Sequence, residues 1–66
     1  MKAGIAIERW KLDIFSRHLE QSGYEFTQGN GVTPDTMFLY VLTDNPQALS
    51  EVVKAAVAEA AQTRQG

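Results

Sequence analysis

The chain has 66 residues, the size of one small domain, and it contains no cysteine, so no disulfide supports its small core. Six Lys and Arg against eight Asp and Glu give a formal net charge of −2. The chain therefore lacks the excess positive charge of a nucleic-acid binder, and its negative charge is too small for a mimic of DNA. No apolar run approaches the length that a bilayer crossing requires.

Small and large residues alternate over residues 3–7. Ile5 and Ile7 fall on one side and Gly4 and Ala6 on the other, which predicts a short strand with one apolar face. The side with Gly4 and Ala6 suits either solvent or a close backbone neighbour.

A helical period begins at about Trp10, where apolar residues recur at intervals of three and four. The predicted apolar face consists of Leu12, Phe15 and Leu19, with Ile14 and His18 beside them. Gly23 predicts the end of this helix, because glycine adopts the left-handed cap conformation without steric cost.

Aromatic and polar residues alternate over residues 24–28 and predict a half-buried edge strand. Residues 29–31 and 33–35 are rich in Gly, Asn, Pro and Asp and predict a loop that reverses the chain.

Residues 36–43 form the most apolar stretch and predict the central strand of a sheet. Alternation places Phe38, Tyr40 and Leu42 on one face and Met37, Leu39 and Val41 on the other. Because both sets are apolar, both faces need cover, and the pattern does not indicate which set faces the helices.

Asn45 and Pro46 predict the start of a second helix: Asn45 can accept hydrogen bonds from free N–H groups, and Pro46 suits a first position that needs no donor. The helix is expected to run to about Thr63, and residues 64–66 should fray. The predicted buried stripe consists of Leu49, Val52, Val53, Ala56 and Ala60.

The order β-α-β-β-α predicts a single α+β domain over residues 1–66, with a ferredoxin-like split β-α-β arrangement that lacks the last strand. Strand order 1-3-2 puts the most apolar strand at the centre of a three-stranded antiparallel sheet. Both helices are expected on one face, which leaves the other face and the free edge of the first strand without cover.

The sequence contains no catalytic, cofactor-binding or metal-binding motif, and we predict that the protein is not an enzyme. His18, the only histidine, lies mid-helix without a positioned partner, which favours a structural role over proton transfer. Glu8, Asp13 and Glu20 are the carboxylates that might form a metal site if they met. Helical spacing, however, separates Asp13 from Glu20 by two turns, or about 10 Å, which is too far for both to bind one ion. Residues 29–31 do not open a helix and therefore do not form a phosphate loop.

Two groups of residues are candidates for contacting a partner protein. Arg9 and Trp10 lie at a strand-to-helix junction and belong to the types that dominate interface hot spots. The alternative for Trp10 is that it only covers the end of the sheet. The second group lies on the central strand and consists of Met37, Leu39, Tyr40 and Val41.

Several segments of the chain resemble small accessory proteins of tailed bacteriophages and prophages: GIAIERWKL at residues 4–12, RHL at 17–19, TPDT at 33–36 and VVKAA at 52–56. The resemblance spans nearly the whole chain and implies a viral accessory protein, made in a bacterial cytoplasm, that binds a host or phage protein. The short uncharged stretch after Met1 and Lys2 is insufficient for a secretion signal and predicts the same compartment.

Two classes of function follow. In the first, the protein is an interaction module that forms a homodimer or larger oligomer, or binds a bacterial host protein, through its uncovered sheet face. In the second, it is a regulatory domain that binds a small molecule at a dimer interface. Neither nucleic acid nor a membrane is an expected partner.

Overall fold

The computed structural model describes residues 2–63 and confirms the predicted order of elements. The elements are β1 (Lys2–Glu8), a 3₁₀ turn (Arg9–Lys11), α1 (Leu12–Gln21), β2 (Phe26–Asn30), β3 (Thr36–Leu42) and α2 (Pro46–Thr63). The prediction that residues 64–66 fray lies outside the described residues.

The strands form one antiparallel sheet in the order β1-β3-β2, with seven residue pairs between β1 and β3 and five between β2 and β3. Because both outer strands run antiparallel to β3, they are parallel to each other, as the split β-α-β arrangement requires. The predicted α+β class, strand order and placement of both helices on one sheet face are confirmed.

The core lies between the helices and one face of the sheet. β3 contributes Met37, Leu39 and Val41, which are 2%, 0% and 0% exposed. The other buried apolar residues are Ile7 from β1, Ile14, Phe15 and Leu19 from α1, and Leu49, Ala56 and Ala60 from α2. The small alanines allow close packing of α2, while Val52 and Val53 are half-buried at the edge of the core.

The helix ends follow the predicted local chemistry. Gly23 has a φ of 81°, the left-handed conformation that ends α1. Asn45 Oδ1 accepts a hydrogen bond from the backbone N–H of Ala48 at 3.2 Å, and Pro46 is the first residue of α2.

β2 differs from its predicted range because it begins at Phe26 and continues to Asn30. Gly29 and Asn30, predicted to lie in the loop, pair with Phe38 and Met37. Glycine is tolerated in this strand because it gives room to a large side chain on β3, as described below.

Candidate interaction face

The sheet face directed away from the helices, the open face, is defined by the strand register. Residues directly opposite each other on paired strands share a face. Tyr40 lies opposite Gly4 on β1 and Thr27 on β2. By the same register, the open face consists of Lys2, Gly4, Ala6, Glu8, Thr27, Gly29, Thr36, Phe38, Tyr40 and Leu42.

Phe38, Tyr40 and Leu42 form an apolar row along the middle of the open face, which we call the central stripe. Tyr40 is 38% exposed and Leu42 is 47% exposed. The Phe38 and Tyr40 rings stack with centroids 6.1 Å apart and an interplanar angle of 26°. The stripe is therefore a continuous aromatic and aliphatic surface that solvent reaches.

Small residues flank the central stripe on both neighbouring strands. A Cβ atom added at Gly29 would lie 2.6 Å from Tyr40 Cε2, and one added at Gly4 would lie 3.8 Å from Tyr40 Cε1. The Tyr40 ring thus leans over Gly29, where no side chain competes for the space. Neither glycine has a side chain that could shield the stripe from a partner.

The prediction that Met37, Leu39 and Val41 contact a partner is wrong, because all three are buried in the core. Leu39 lies opposite Ile5, so the large side chains of β1 and β3 fall on the same side of the sheet, where the helices pack. Of the central-strand residues predicted to bind a partner, only Tyr40 lies on the open face.

Sequence reasoning missed Phe38 and Leu42 as surface residues. The signal that identifies them lies in β1, where only Ile5 and Ile7 are large enough to face a core. Ile5 and Ile7 pair with Leu39 and Met37, which places those residues in the core. The alternate residues of β3, Phe38, Tyr40 and Leu42, then lie on the open face.

Arg9 ties the β2–β3 loop to the end of β1. The Arg9 backbone N–H donates to the carbonyl oxygen of Asp35 at 2.8 Å, and its side-chain Nε donates to the carbonyl oxygen of Pro34 at 2.8 Å. The Nε donor of this predicted partner-binding residue is therefore used within the chain.

Trp10 is half-buried against the core, and its Nε1 donates a hydrogen bond to Glu8 Oε2 at 3.2 Å. Lys11 Nζ lies 5.4 Å from the centroid of the Trp10 ring and 3.1 Å from Glu8 Oε1. This cluster lies at the Thr36 end of β3, four residues along the strand from Tyr40. The structure does not bring Arg9 and Trp10 together with the central stripe.

An open cavity of about 570 Å³ lies at the opposite end of the sheet, near Leu42. It is lined by Lys2, Glu20, Tyr24, Glu25, Phe26, Thr27, Tyr40 and Leu42. Its volume is within the range of small-molecule sites, and its wall combines aromatic rings with charges of both signs. The sequence pattern did not indicate this cavity, because its residues come from four separate elements.

His18 takes part in a contact between the two helices. Its Nε2 lies 2.9 Å from Glu59 Oε1, and Glu59 also forms an ion pair with Arg17. A single carboxylate on α2 therefore joins two neighbouring side chains of α1. Within residues 2–63, no three His, Cys, Asp or Glu side chains are grouped as a metal site requires.

Neither helix in the described part of the chain is long and apolar enough to cross a membrane. Comparison with protein-family models, curated proteins and solved structures found no match. The central stripe and the cavity are therefore the features from which function is proposed.

Proposed function

We propose that the protein is a non-enzymatic interaction module that binds another protein through its open face. The central stripe is the observation that supports this function, because no element of residues 2–63 covers it. Tyr40 belongs to a residue type enriched at binding hot spots. Lys2 and Glu8 lie at the margin of the same face, which matches the polar rim around an apolar centre seen in protein interfaces.

The energetics favour a partner on this face. Full burial of a large apolar side chain is worth roughly 1.5–3 kcal/mol. Tyr40 and Leu42 are 38% and 47% exposed in the single chain. Covering each of them would therefore contribute part of that free energy to binding of a partner. The Tyr40 ring already rests against Gly29, which lowers the side-chain entropy lost on binding.

The partner we propose is a bacterial host protein or another phage protein in the cytoplasm. The resemblance of residues 4–12, 17–19, 33–36 and 52–56 to phage accessory proteins supports this class of partner.

Photo-crosslinking in bacterial cells tests the proposal. Benzoylphenylalanine in place of Tyr40 should yield discrete adducts with another protein, because the probe lies at the centre of the stripe. The control places the same probe at Val32, which is 88% exposed in the loop between β2 and β3. The substitution Leu42→Glu in the Tyr40-probe chain should abolish the adducts. Equal adducts from both probe positions, or none from position 40, would contradict the proposal.

A regulatory domain that binds a small molecule is the second candidate, and the cavity of about 570 Å³ favours it. Most of its lining residues lie on or beside β2 and β3, and Lys2 is the member of this lining that belongs to β1. A metabolite panel tests this candidate. A ligand at a hundred times its Kd should stabilise the fold by about 2.7 kcal/mol, and Tyr24→Ala should remove the gain whereas Val32→Ala should not.

A further inference from the structure

The outer edge of β1 is the second uncovered feature of the sheet. In residues 2–63 the strand order is β1-β3-β2, so β1 pairs with β3 on one side and with no strand on the other. An unpaired strand edge presents backbone N–H and C=O groups to any extended chain that fits it.

The two edges of this sheet differ in their suitability for pairing. β2 is five residues long and carries the exposed polar residues Thr27, Gln28 and Asn30. β1 is seven residues long, contains no proline and has its charges only at the two ends, Lys2 and Glu8. Edge strands that must stay unpaired usually carry central charges, prolines or bulges, and β1 has no proline or central charge.

We infer that β1 pairs antiparallel with β1 of a second copy of this chain, with Ile5 at the two-fold axis. This register places Lys2 opposite Glu8 of the partner subunit, and Glu8 opposite Lys2 of the partner subunit. Cross-strand pairs of opposite charge stabilise an antiparallel sheet. The contact is isologous, so each ion pair occurs twice.

The same register also matches side-chain size on both faces. On the helix side, Ile5 meets Ile5 of the partner subunit, and Ala3 meets Ile7 of the partner subunit. Ile5 is half-buried in the single chain and would gain cover. On the open face, Gly4 meets Ala6 of the partner subunit, and these small residues allow the strands to approach without steric conflict.

Competing registers are less favourable. Moving the two-fold axis to Gly4 or Ala6 keeps the faces matched but pairs only five residues and loses both Lys2–Glu8 pairs between the subunits. A parallel arrangement in register would place Lys2 against Lys2 and Glu8 against Glu8, which is destabilising. The antiparallel register about Ile5 is therefore the one that charge complementarity selects.

A groove lies near one end of β1, and its wall includes Thr36 of the central strand. It has a volume of about 250 Å³ and lies next to the Ala6–Glu8 end of β1, with Phe15 and Val57 in its wall. Val57 is 49% exposed although it is apolar.

The edge pairing does not depend on the proposed function. It joins two sheets of three strands into one of six and leaves the central stripe of each copy accessible on the same side. The open face would then present two equivalent stripes to a partner.

Light scattering of the full chain at 100 μM and low salt tests the pairing, and a mass near twice 7.3 kDa is expected. Lys2→Glu and Glu8→Lys should each weaken dimerisation by roughly tenfold or more, because each creates two like-charge pairs. Glu8→Lys also removes the contacts of Glu8 with Trp10 and Lys11, so Lys2→Glu is the cleaner of the two tests. The double variant Lys2→Glu/Glu8→Lys, or an equimolar mixture of the two single variants, should restore the dimer. Circular dichroism melting confirms that each variant is folded.

Disulfide trapping tests the register, since the native chain contains no cysteine. Ile5→Cys should form a covalent dimer rapidly under mild oxidation, because position 5 faces itself across the axis. Ala3→Cys is the matched control: it lies on the same face, but the two copies of position 3 would be four residues, or about 13 Å, apart along the strands.

A monomer at 100 μM would overturn the inference, as would equal trapping of the two cysteine variants. A dimer that Tyr40→Glu disrupts but Lys2→Glu does not would also overturn it, because the contact would then be the open face. Failure of the proposed function has a different signature: loss of Tyr40-probe adducts to other proteins with the dimer intact.

Discussion

The ring of Tyr40 lies against Gly29 on the neighbouring strand. A Cβ atom at Gly29 would lie only 2.6 Å from Tyr40 Cε2, whereas a Cβ at Gly4, on the other side of Tyr40, would be at an ordinary contact distance of 3.8 Å from Cε1. The ring therefore covers the backbone of an edge strand and forms the middle of the central stripe at the same time.

The two glycines should respond differently to the same substitution. Gly4→Ala should raise the free energy of unfolding by roughly 0.5–1 kcal/mol, because alanine loses less conformational entropy than glycine when a strand forms. Gly29→Ala should gain less or destabilise the fold, because the Tyr40 ring must move. Urea unfolding measures both values. Equal stabilisation by the two substitutions would show that the ring does not rest on Gly29.

The two sets of side chains on β3 should differ in their contribution to stability. Leu39→Ala should lower the free energy of unfolding by about 2–5 kcal/mol, because Leu39 is fully buried and its removal leaves a cavity. Leu42→Ala should cost roughly 1 kcal/mol or less, because half of that side chain is already in solvent. Thermal and urea unfolding provide the measurement. Similar costs at both positions would contradict the assigned faces of the strand.

Glu59 should contribute to the packing of the two helices. Glu59→Ala should lower the free energy of unfolding by about 1 kcal/mol, because both Arg17 and His18 lose their partner. Glu51→Ala, an exposed position on the same helix, is the control and should change stability by less than about 0.5 kcal/mol. His18→Gln should leave crosslinking at position 40 unchanged within a few-fold. A loss of crosslinking in a folded His18→Gln chain would assign that residue a functional role.

Amide exchange should be slowest in β3. The amides of residues 38–42 lie in the central strand, which opens only when the whole domain unfolds. The amides of residues 24–28 lie at or near the edge strand β2 and should exchange faster. Hydrogen–deuterium exchange followed by NMR resolves the two segments. Equal or greater protection of residues 24–28 would be inconsistent with a central β3.

Much of this fold follows from local sequence signals. Gly23 and Asn45-Pro46 predicted the helix ends because each acts through its own backbone chemistry. The strand order followed from the apolar character of β3, because so apolar a strand is favoured at the centre of a sheet, where both of its edges are paired. These signals require no knowledge of distant contacts.

Other features depend on contacts that a single segment does not encode. Both alternating sets of β3 are apolar, so the buried set is decided by pairing with Ile5 and Ile7 on β1. Gly29 is typical of a turn but lies in β2, where its lack of a side chain leaves room for the Tyr40 ring. The bond between His18 and Glu59 joins residues 41 positions apart and has no local signal.

The central strand of this sheet is also the last of the three strands along the chain, and this has a consequence for the order of assembly. β2 and β3 are joined by a short loop, whereas Lys2 and Leu42, which pair with each other, are separated by nearly two-thirds of the sequence. Closing the shorter loop costs less entropy, so the β2–β3 hairpin should form first and β1 should dock afterwards. During that interval, β1 of a neighbouring chain can occupy the same edge of β3. Refolding is therefore expected to branch toward strand-exchanged species as the protein concentration rises.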